Sequence, residues 1–276
     1  MNSETENRKL KIAILGAGGR MGRMIIGCIM RGSVSGIELY AAIDRNDHPD
    51  LGKDAGSLSG CDPAGIALSS GLDAADGADV VIDFSFHTST AEHSRILAEK
   101  GKAIVIGTTG LSDDEKGMVA EAAKTVPIVT APNMSVGMNL LFSLVEQTAA
   151  ALNGKGYDLE IIERHHRKKK DSPSGTALGL GEAAARGLGS DLSKVSLHGR
   201  EGHVGERTTE EIGFHAVRGG DIVGDHTVLF AGEGECIELS HRATSREAFA
   251  MGALRAAVWV EGKAPGLYSM QDVLGI

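Results

Sequence analysis

The sequence predicts an α/β chain in which a doubly wound parallel sheet is followed by a smaller α+β domain. Two patterns predict this class. Short aliphatic runs alternate with amphipathic stretches through the first half, and strand-like runs separated by glycine-rich turns fill much of the second half. The composition agrees, because 38 glycines, 6 prolines and 4% aromatic residues suit aliphatic strands joined by tight turns.

The aliphatic runs of the first half are apolar throughout, as expected for parallel strands covered on both faces. The predicted strands are Leu10–Leu15, Ile37–Ile43, Ala78–Phe84, Ala103–Ile106 and Ile128–Thr130. The helices predicted between them are Met21–Met30, Thr90–Lys100 and Asp113–Lys124, and Ser112 with Glu115 forms a capping box before the last. This repeated strand, helix, strand order predicts the doubly wound sheet.

The pattern changes after Pro132. The predicted helices are Val136–Leu152, Thr176–Leu188 and Ser245–Val260, and the predicted strands are Asp158–Glu163, Ile212–Val217, Thr227–Phe230 and Cys236–Leu239. These elements predict an α+β layer with an open mixed or antiparallel sheet. We therefore predict a dinucleotide-binding domain over residues 1–135, a substrate and oligomerisation domain over 136–245, and a return of 246–276 to the first domain.

Charge and composition exclude several classes of protein. The net charge of −9 argues against a broad nucleic-acid surface. Residues 1–11 are polar, and no run of about 18 apolar residues occurs, so we predict a soluble cytoplasmic protein without membrane segments. Cys28, Cys61 and Cys236 form no CxxC pair, and the ten histidines show no HxxxH or HExxH spacing, so we predict neither a disulfide framework nor a metal site.

A glycine-rich turn follows the first predicted strand directly. It reads Gly16-Ala17-Gly18-Gly19-Arg20-Met21-Gly22 and opens a helix, which lets backbone amides approach a pyrophosphate. Alone, this spacing also fits a turn that binds nothing. Asp44 ends the second strand about 20 residues later, where an acid binds ribose hydroxyls, and Arg45 follows it. We therefore predict a Rossmann-like domain that binds NADH or NADPH with weak discrimination.

Two further segments follow later strands at the same predicted sheet edge. They are Gly107-Thr108-Thr109 and Ala131-Pro132-Asn133. Cofactor groups lie along the carboxyl ends of strands in open α/β sheets, so both are predicted to contact the cofactor.

A basic loop is the most unusual stretch of the chain. His165-His166-Arg167-Lys168-Lys169-Lys170 follows an apolar strand, and the loop ends in Ser174-Gly175-Thr176 at a predicted helix start. Cations beside a helix N-terminus form a local anion site, which suits a small carboxylate substrate. His165 and Lys169 are the predicted proton-transfer pair. A solvated basic face, structural histidines and a nuclear-localisation signal are the alternatives.

These two motifs together resemble the dihydrodipicolinate reductase family of the diaminopimelate route to lysine. Gly16–Gly22 is similar to the family's GAxGRMG loop, and Glu160–Ala177 is similar to its EIIExHHxxKxDxPSGTA signature. Other similar stretches are Val105–Gly110, Ala131–Gly137, His198–Gly205 and Ile212–His226. The chain departs from the family at Phe86-His87-Thr88-Ser89, where a short turn containing Pro-Glu is usual, so the resemblance leaves the role of this loop open.

The resemblance implies NAD(P)H-dependent reduction of 4-hydroxy-tetrahydrodipicolinate, via dihydrodipicolinate, to tetrahydrodipicolinate. It implies that His165 is the proton donor or acceptor and Lys169 a second proton donor. His166, Gly175 and Thr176 would contact the substrate carboxylates, and we predict that Ser174 joins them. The implied cofactor contacts are Gly16–Met21, Asp44, Arg45, Gly107–Thr109 and Ala131–Met134. The family also implies a homotetramer.

Two other functions compete with this one. A semialdehyde dehydrogenase of related architecture needs a reactive cysteine facing the nicotinamide, and none of the three cysteines occupies a suitable predicted loop. A non-catalytic nicotinamide sensor would use the basic loop to bind an acidic protein. Such a sensor would bind NADPH without turning anything over.

Overall fold

The computed structural model describes residues 8–276, which divide into two compact units. The first unit contains residues 8–136 and Arg246–Gly275, and the second contains Gly137–Ser245. The residues before Arg8 lie outside the described part of the chain.

A seven-stranded, entirely parallel sheet forms the centre of the first unit. Its strands are β1 (Leu10–Leu15), β2 (Ile37–Ile43), β3 (Leu68–Ser69), β4 (Val80–Asp83), β5 (Ala103–Ile106), β6 (Pro127–Thr130) and β12 (Gly266–Tyr268). Their spatial order is β12-β6-β5-β4-β1-β2-β3. The chain order reverses on the two sides of β1, which places a crevice at the carboxyl ends of β1 and β4.

Helices cover both faces of this sheet. They are α1 (Arg20–Met30), α2 (Ala55–Leu58), α3 (His87–Glu99), α4 (Asp113–Ala122), α8 (Glu247–Val260) and α9 (Met270–Leu274), and a short 3-10 helix spans Leu72–Ala75. Alternate residues of β1 enter different cores, with Ile12 and Ile14 packing beneath α1 and α8 and Leu15 packing beneath α3 and α4. This two-sided burial explains why the strands read as continuous apolar runs. The predicted Ser112–Glu115 capping box is present.

The second unit has a five-stranded mixed sheet covered on one face by two long helices. The strands are β7 (Asp158–His165), β8 (Ser196–His198), β9 (Ile212–Arg218), β10 (Gly224–Ala231) and β11 (Cys236–Ala243), in the order β11-β10-β7-β9-β8. The helices are α5 (Val136–Leu152), α6 (Gly175–Gly187) and the short α7 (Leu192–Val195). Burial alternates along β7 and β10, as expected for a sheet with one packed face. The two sheets confirm the predicted fold class.

One boundary difference concerns the candidate site directly. The sequence predicted that the first strand of this unit ends at Glu163 and delivers His165 into a loop, but β7 continues to His165. The extension is held by parallel pairing of His165 with Arg218 on β9 and antiparallel pairing of Arg164 with Asp225 on β10. His165 therefore lies on a strand paired on both sides.

Candidate active site

The glycine-rich turn has a backbone that other residues would not tolerate. Gly16 has a φ of 73°, and a Cβ there would lie 2.5 Å from the Phe84 carbonyl oxygen. A Cβ at Gly22 would lie 2.3 Å from the Gly16 carbonyl oxygen, which explains how closely α1 approaches the turn. The turn therefore needs glycine for close packing and leaves an open backbone at the N-terminus of α1.

Asp44 is tied to this turn by its side chain. Its carboxylate accepts hydrogen bonds from the amides of Gly18 and Arg45, both at 2.9 Å. Each carboxylate oxygen keeps further capacity to accept hydrogen bonds from a ligand. Arg45 is exposed and forms an ion pair with exposed Asp47 at 2.9 Å, a contact that contributes little and leaves the guanidinium available.

A cavity of about 490 Å³ lies beside the turn within the first unit. Its lining comes from the turn, from the segments that follow β2, β3 and β4, and from α3. The lining residues are Leu15, Gly16, Gly19, Ile43–Asn46, Gly71, Leu72, Phe84–Phe86, Ser89 and His93. Arg20 is exposed at the first position of α1, and Met21 packs partly against the core. The predicted turn and the Asp44-Arg45 pair thus border one concave site.

The other predicted cofactor residues follow β5 and β6 at the same sheet edge. Ala131 and Met134 are buried in the core, so their side chains are not open to a ligand there. Thr108 is also buried, and its hydroxyl lies 3.3 Å from the Asp83 carbonyl oxygen. Gly107, Thr109, Pro132 and Asn133 are partly or fully exposed.

Sequence reasoning did not identify Asp83, which organises this edge. It is 1% exposed, and its carboxylate accepts hydrogen bonds from the Ser85 amide at 2.7 Å and from His93 Nδ1 at 3.1 Å. Thr108 Oγ1 lies 3.4 Å from the same carboxylate. The sequence did contain a sign of its role, because Asp83 is a carboxylate at the end of an otherwise apolar strand. Asp83 therefore fixes the loops after β4 and β5.

The second unit brings residues from three strands onto one face at the basic loop. Glu163 and His165 lie two residues apart on β7 and therefore point to the same side. The register places Arg218 of β9 beside His165 and His226 of β10 beside Glu163. Glu163, Arg218 and His226 were absent from the predicted site because their meeting depends on strand register.

The Glu163 carboxylate is the centre of this group and is 1% exposed. It accepts hydrogen bonds from His165 Nδ1 at 2.6 Å, from both terminal nitrogens of Arg218 at 2.6 and 2.7 Å, and from the Ser174 amide at 3.0 Å. Burial raises the pKa of Glu163, but the hydrogen bonds from His165 and Arg218 outweigh burial and lower this pKa to about 2. Glu163 is therefore ionised at neutral pH.

This contact fixes the tautomer of His165. An ionised carboxylate can only accept a hydrogen bond, so His165 Nδ1 must carry the hydrogen. The opposite ring nitrogen, Nε2, faces Gly224, where an added Cβ would lie 3.1 Å away. Glu163 thus leaves Nε2 as the atom of His165 that can exchange a proton.

Ser174 connects the start of α6 to the same group. Its hydroxyl caps the helix by accepting from the Ala177 amide at 3.1 Å and shares a hydrogen bond with His226 Nε2 at 3.2 Å. Burial, followed by the nearby His165, lowers the pKa of His226 to about 3. His226 is therefore neutral, and its ring packs edge-on against His165 at 5.1 Å.

The remaining predicted residues surround the open end of α6. Lys169 is partly exposed and pairs with Asp171 at 2.9 Å. His166 is partly buried, and its Nδ1 has no hydrogen-bond partner within the described chain. Gly175 and Thr176 form the first turn of α6, where the helix dipole favours an anion. The predicted catalytic and substrate-binding residues therefore lie on one segment, His165–Thr176.

Residues 8–276 were also compared with what a cysteine nucleophile, a metal site or a membrane-spanning helix would require. Burial, followed by Glu247, raises the pKa of the Cys28 thiol, which disfavours a nucleophilic thiolate there. No group of three or more His, Cys, Asp or Glu side chains in this range is arranged to hold a metal ion. None of the helices in the described chain is long and apolar enough to cross a membrane.

Solved structures include a protein of the same fold. The dipicolinate-bound dihydrodipicolinate reductase from Paenisporosarcina sp. TG-14 is 26% identical, with a TM-score of 0.72 over 96% of this chain and 98% of that one. A probable dehydrogenase from Thermotoga maritima is 15% identical with a TM-score of 0.59, covering 96% of this chain and 92% of the other, and shows the shared fold alone.

Sequence comparisons cover nearly the whole chain. The family model for the dihydrodipicolinate reductase N-terminus matches residues 10–134, and the model for its C-terminus matches 137–274. The 4-hydroxy-tetrahydrodipicolinate reductase of Geobacter metallireducens is 52% identical over 97% of this chain and 99% of its own length. That of Anaeromyxobacter dehalogenans strain 2CP-C is 50% identical over 96% and 98%. These matches confirm the predicted resemblance and the predicted oxidoreductase class: the chain belongs to the dihydrodipicolinate reductase family.

Proposed function

We propose that this protein reduces 4-hydroxy-tetrahydrodipicolinate, via dihydrodipicolinate, to tetrahydrodipicolinate in the diaminopimelate route to lysine. The observation that carries the proposal is the buried Glu163–His165 pair at the start of a loop that also holds Lys169 and the N-terminus of α6. Relatives about half identical over nearly their full length bear the name of this activity.

The first unit fits a nicotinamide dinucleotide. The positive φ of Gly16 and the lack of space for a Cβ leave bare backbone at the start of α1, as a pyrophosphate requires. We assign the pyrophosphate to Gly16–Met21 and the adenosine ribose to Asp44. Arg45 would receive a 2′-phosphate, so both NADH and NADPH are expected to bind. Gly107–Thr109 and Ala131–Met134 would contact the nicotinamide half, and the bound cofactor would supply the hydride.

The second unit fits a small dicarboxylate. Lys169 and the first turn of α6 supply positive charge and amides, and His166 offers a ring nitrogen that has no hydrogen-bond partner among residues 8–276. We assign the substrate carboxylates to His166, Gly175 and Thr176, beside the positive charge of Lys169. Ser174 is 1% exposed, and its amide and hydroxyl already bond within the protein, so we assign it to holding this turn in place. The dipicolinate bound to the Paenisporosarcina enzyme is itself a planar dicarboxylate, which supports this class of ligand.

Proton delivery falls to His165 and Lys169. Reduction of an unsaturated imine leaves negative charge on the substrate, and a positioned acid must neutralise it. Glu163 holds the hydrogen on His165 Nδ1, so His165 Nε2 is the ring nitrogen that can deliver a proton. The lysine ammonium provides a second donor on the same loop.

Assembly and location complete the proposal. We propose a homotetramer formed through the second sheet, since its face opposite α5 and α6 carries Ile162 and Val217, the latter 44% exposed. The cytoplasmic location stays a prediction.

The deciding experiment measures oxidation of NADH and NADPH by the purified protein, with substrate generated from pyruvate and aspartate semialdehyde by the preceding synthase. We expect rapid oxidation by the native protein and loss of turnover in His165→Gln, with cofactor binding retained. A folded native protein that binds NADPH and oxidises none would contradict the proposal and favour a nicotinamide sensor.

A further inference from the structure

The segment Phe86–Ser89 departs from the family pattern, yet two of its residues, Phe86 and Ser89, line the 490 Å³ cavity beside the glycine-rich turn. Phe86 is the most exposed large apolar side chain of the first unit, at 64%. It lies in the same cavity as Asp44, Arg45 and Gly16. An aromatic ring left open to solvent at the rim of a ligand site is a feature that a bound apolar surface would cover.

Hydrogen bonds hold the backbone of Phe86 in place, whereas its ring is exposed to solvent. Phe86 is the N-cap residue of α3, and its carbonyl oxygen accepts from the amides of Ser89 and Thr90 at 2.9 and 3.1 Å. Its side chain makes no capping hydrogen bond, although Ser, Thr, Asp and Asn are strongly preferred at this position because they do. Helix stability therefore does not explain a phenylalanine here.

A neighbouring histidine, itself held by a hydrogen bond, packs against the ring. The Phe86 ring centroid lies 4.4 Å from that of His87. His87 Nδ1 in turn lies 3.0 Å from both carboxylate oxygens of Glu115, a residue of the α4 capping box. A ring supported in this way loses little freedom when a flat ligand stacks on it.

We infer that Phe86 is the stacking platform for the adenine ring of the cofactor. The inference rests on the proposed function, in which Asp44 binds the adenosine ribose. Adenine is attached to that ribose, so it must lie near Asp44, and Phe86 offers the exposed ring in the shared cavity. Base–aromatic stacking requires a π-face and no hydrogen-bond readout, so the platform serves NADH and NADPH equally.

The test compares ligands that contain adenine with one that lacks it. Dissociation constants for NADH, ADP-ribose and reduced nicotinamide mononucleotide are measured by calorimetry with the native protein, Phe86→Ala and Phe86→Trp. We expect Phe86→Ala to bind NADH and ADP-ribose about 5- to 10-fold more weakly, in the lower range for one lost stacking contact. Binding of the mononucleotide should not change, and Phe86→Trp should restore affinity and show quenching of the added indole by ADP-ribose.

Leu267→Ala provides a matched control, because it removes another exposed apolar side chain of the first unit outside this cavity. It should bind all three ligands normally. Native affinity of Phe86→Ala for ADP-ribose would overturn the platform and leave the proposed function intact. Equal weakening of all three ligands would also overturn it, since the loss would not be specific to adenine. A native protein that binds neither NADH nor ADP-ribose would remove the proposed function itself.

Discussion

Replacing Glu163 with glutamine tests whether His165 is positioned by its carboxylate. Each oxygen of that buried carboxylate accepts two hydrogen bonds, one shared by His165 and Arg218 and the other by Arg218 and the Ser174 amide. A glutamine amide keeps one oxygen and replaces the other with an NH₂ donor. Whichever way the amide turns, two donors would face another donor.

The expected loss of stability follows from the pKa of Glu163. A decrease from 4.5 to about 2, at about 1.4 kcal/mol per pH unit, corresponds to about 3 kcal/mol of folding free energy at neutral pH. Because the folded-state pKa is the lower one, this stability is present above pH 4.5 and is lost as the pH falls towards 2. Glu163→Gln should therefore lower the unfolding free energy by about 3 kcal/mol at pH 7.

The expected loss of activity has a separate cause. Without the carboxylate, the tautomer and the orientation of the His165 ring are no longer fixed. A well-placed general acid contributes about 10²- to 10⁴-fold to a rate, so we expect kcat to fall about 100-fold. KM should change little, because Glu163 is 1% exposed and is therefore not open to contact with the substrate.

Glu160→Gln is the matched control. Glu160 lies on the opposite face of β7 and accepts hydrogen bonds from Arg200, Arg207 and His215. Burial raises its pKa, but these partners lower it to about 2, as for Glu163. Urea unfolding should show similar losses of stability in both variants, whereas steady-state kinetics should show lost kcat in Glu163→Gln alone. Equal kcat values, with both variants checked for assembly by size-exclusion chromatography, would refute the positioning argument.

Three further predictions concern the two units. Gly224→Ala would place a Cβ 3.1 Å from His165 Nε2 and should lower kcat about 10-fold in steady-state assays by displacing the ring. The pKa of His226 is lowered from 6.5 to about 3, so native stability should fall as the pH drops through this window, and His226→Gln should flatten that slope in urea titrations. Gly16→Ala combines a positive φ with a 2.5 Å approach to the Phe84 carbonyl oxygen and should weaken NADH binding in calorimetry and lower the Tm.

Other glycines provide controls for two of these variants. Gly219→Ala meets no atom of residues 8–276 within 4 Å and should keep native kcat. Gly36→Ala has the same left-handed backbone as Gly16, with a φ of 76°, but meets no atom of the described residues within 4 Å. It should lose some stability and keep native NADH affinity. A Gly224→Ala variant with native kcat, or a His226→Gln variant with an unchanged slope, would contradict the corresponding prediction.

The sequence predicted the parallel sheet well because each of its inner strands is a distinct aliphatic run. It missed β3 and β12, which contain two and three residues. Such short edge strands carry no periodic pattern and form only because a longer neighbour pairs with them. It also ended β7 too early, because Arg164 and His165 break the apolar run and the pairing with β9 and β10 that extends the strand is not a local property.

The sequence could identify only those site residues that are neighbours along the chain. The segment from His165 to Thr176 could be named because it is contiguous in the sequence and has a recognisable composition. Arg218 and His226 could not, since they reach His165 and Ser174 through the register of two other strands. An arginine and a histidine on separate strands give no local sign of a shared partner.

Buried carboxylates in apolar strands provide the signal that would have found these residues. Asp83 ends β4 and Glu163 lies near the end of β7, and each is 1% exposed. Each accepts a hydrogen bond from the Nδ1 atom of one histidine, His93 or His165, and another from a backbone amide. A charged group is costly to bury without partners, so an acid at a core-facing strand position implies donors from elsewhere in the fold. In both units that donor set includes an imidazole, so a buried acid in an apolar strand predicts that a histidine from elsewhere in the fold, or from two residues along the strand, is held beside it.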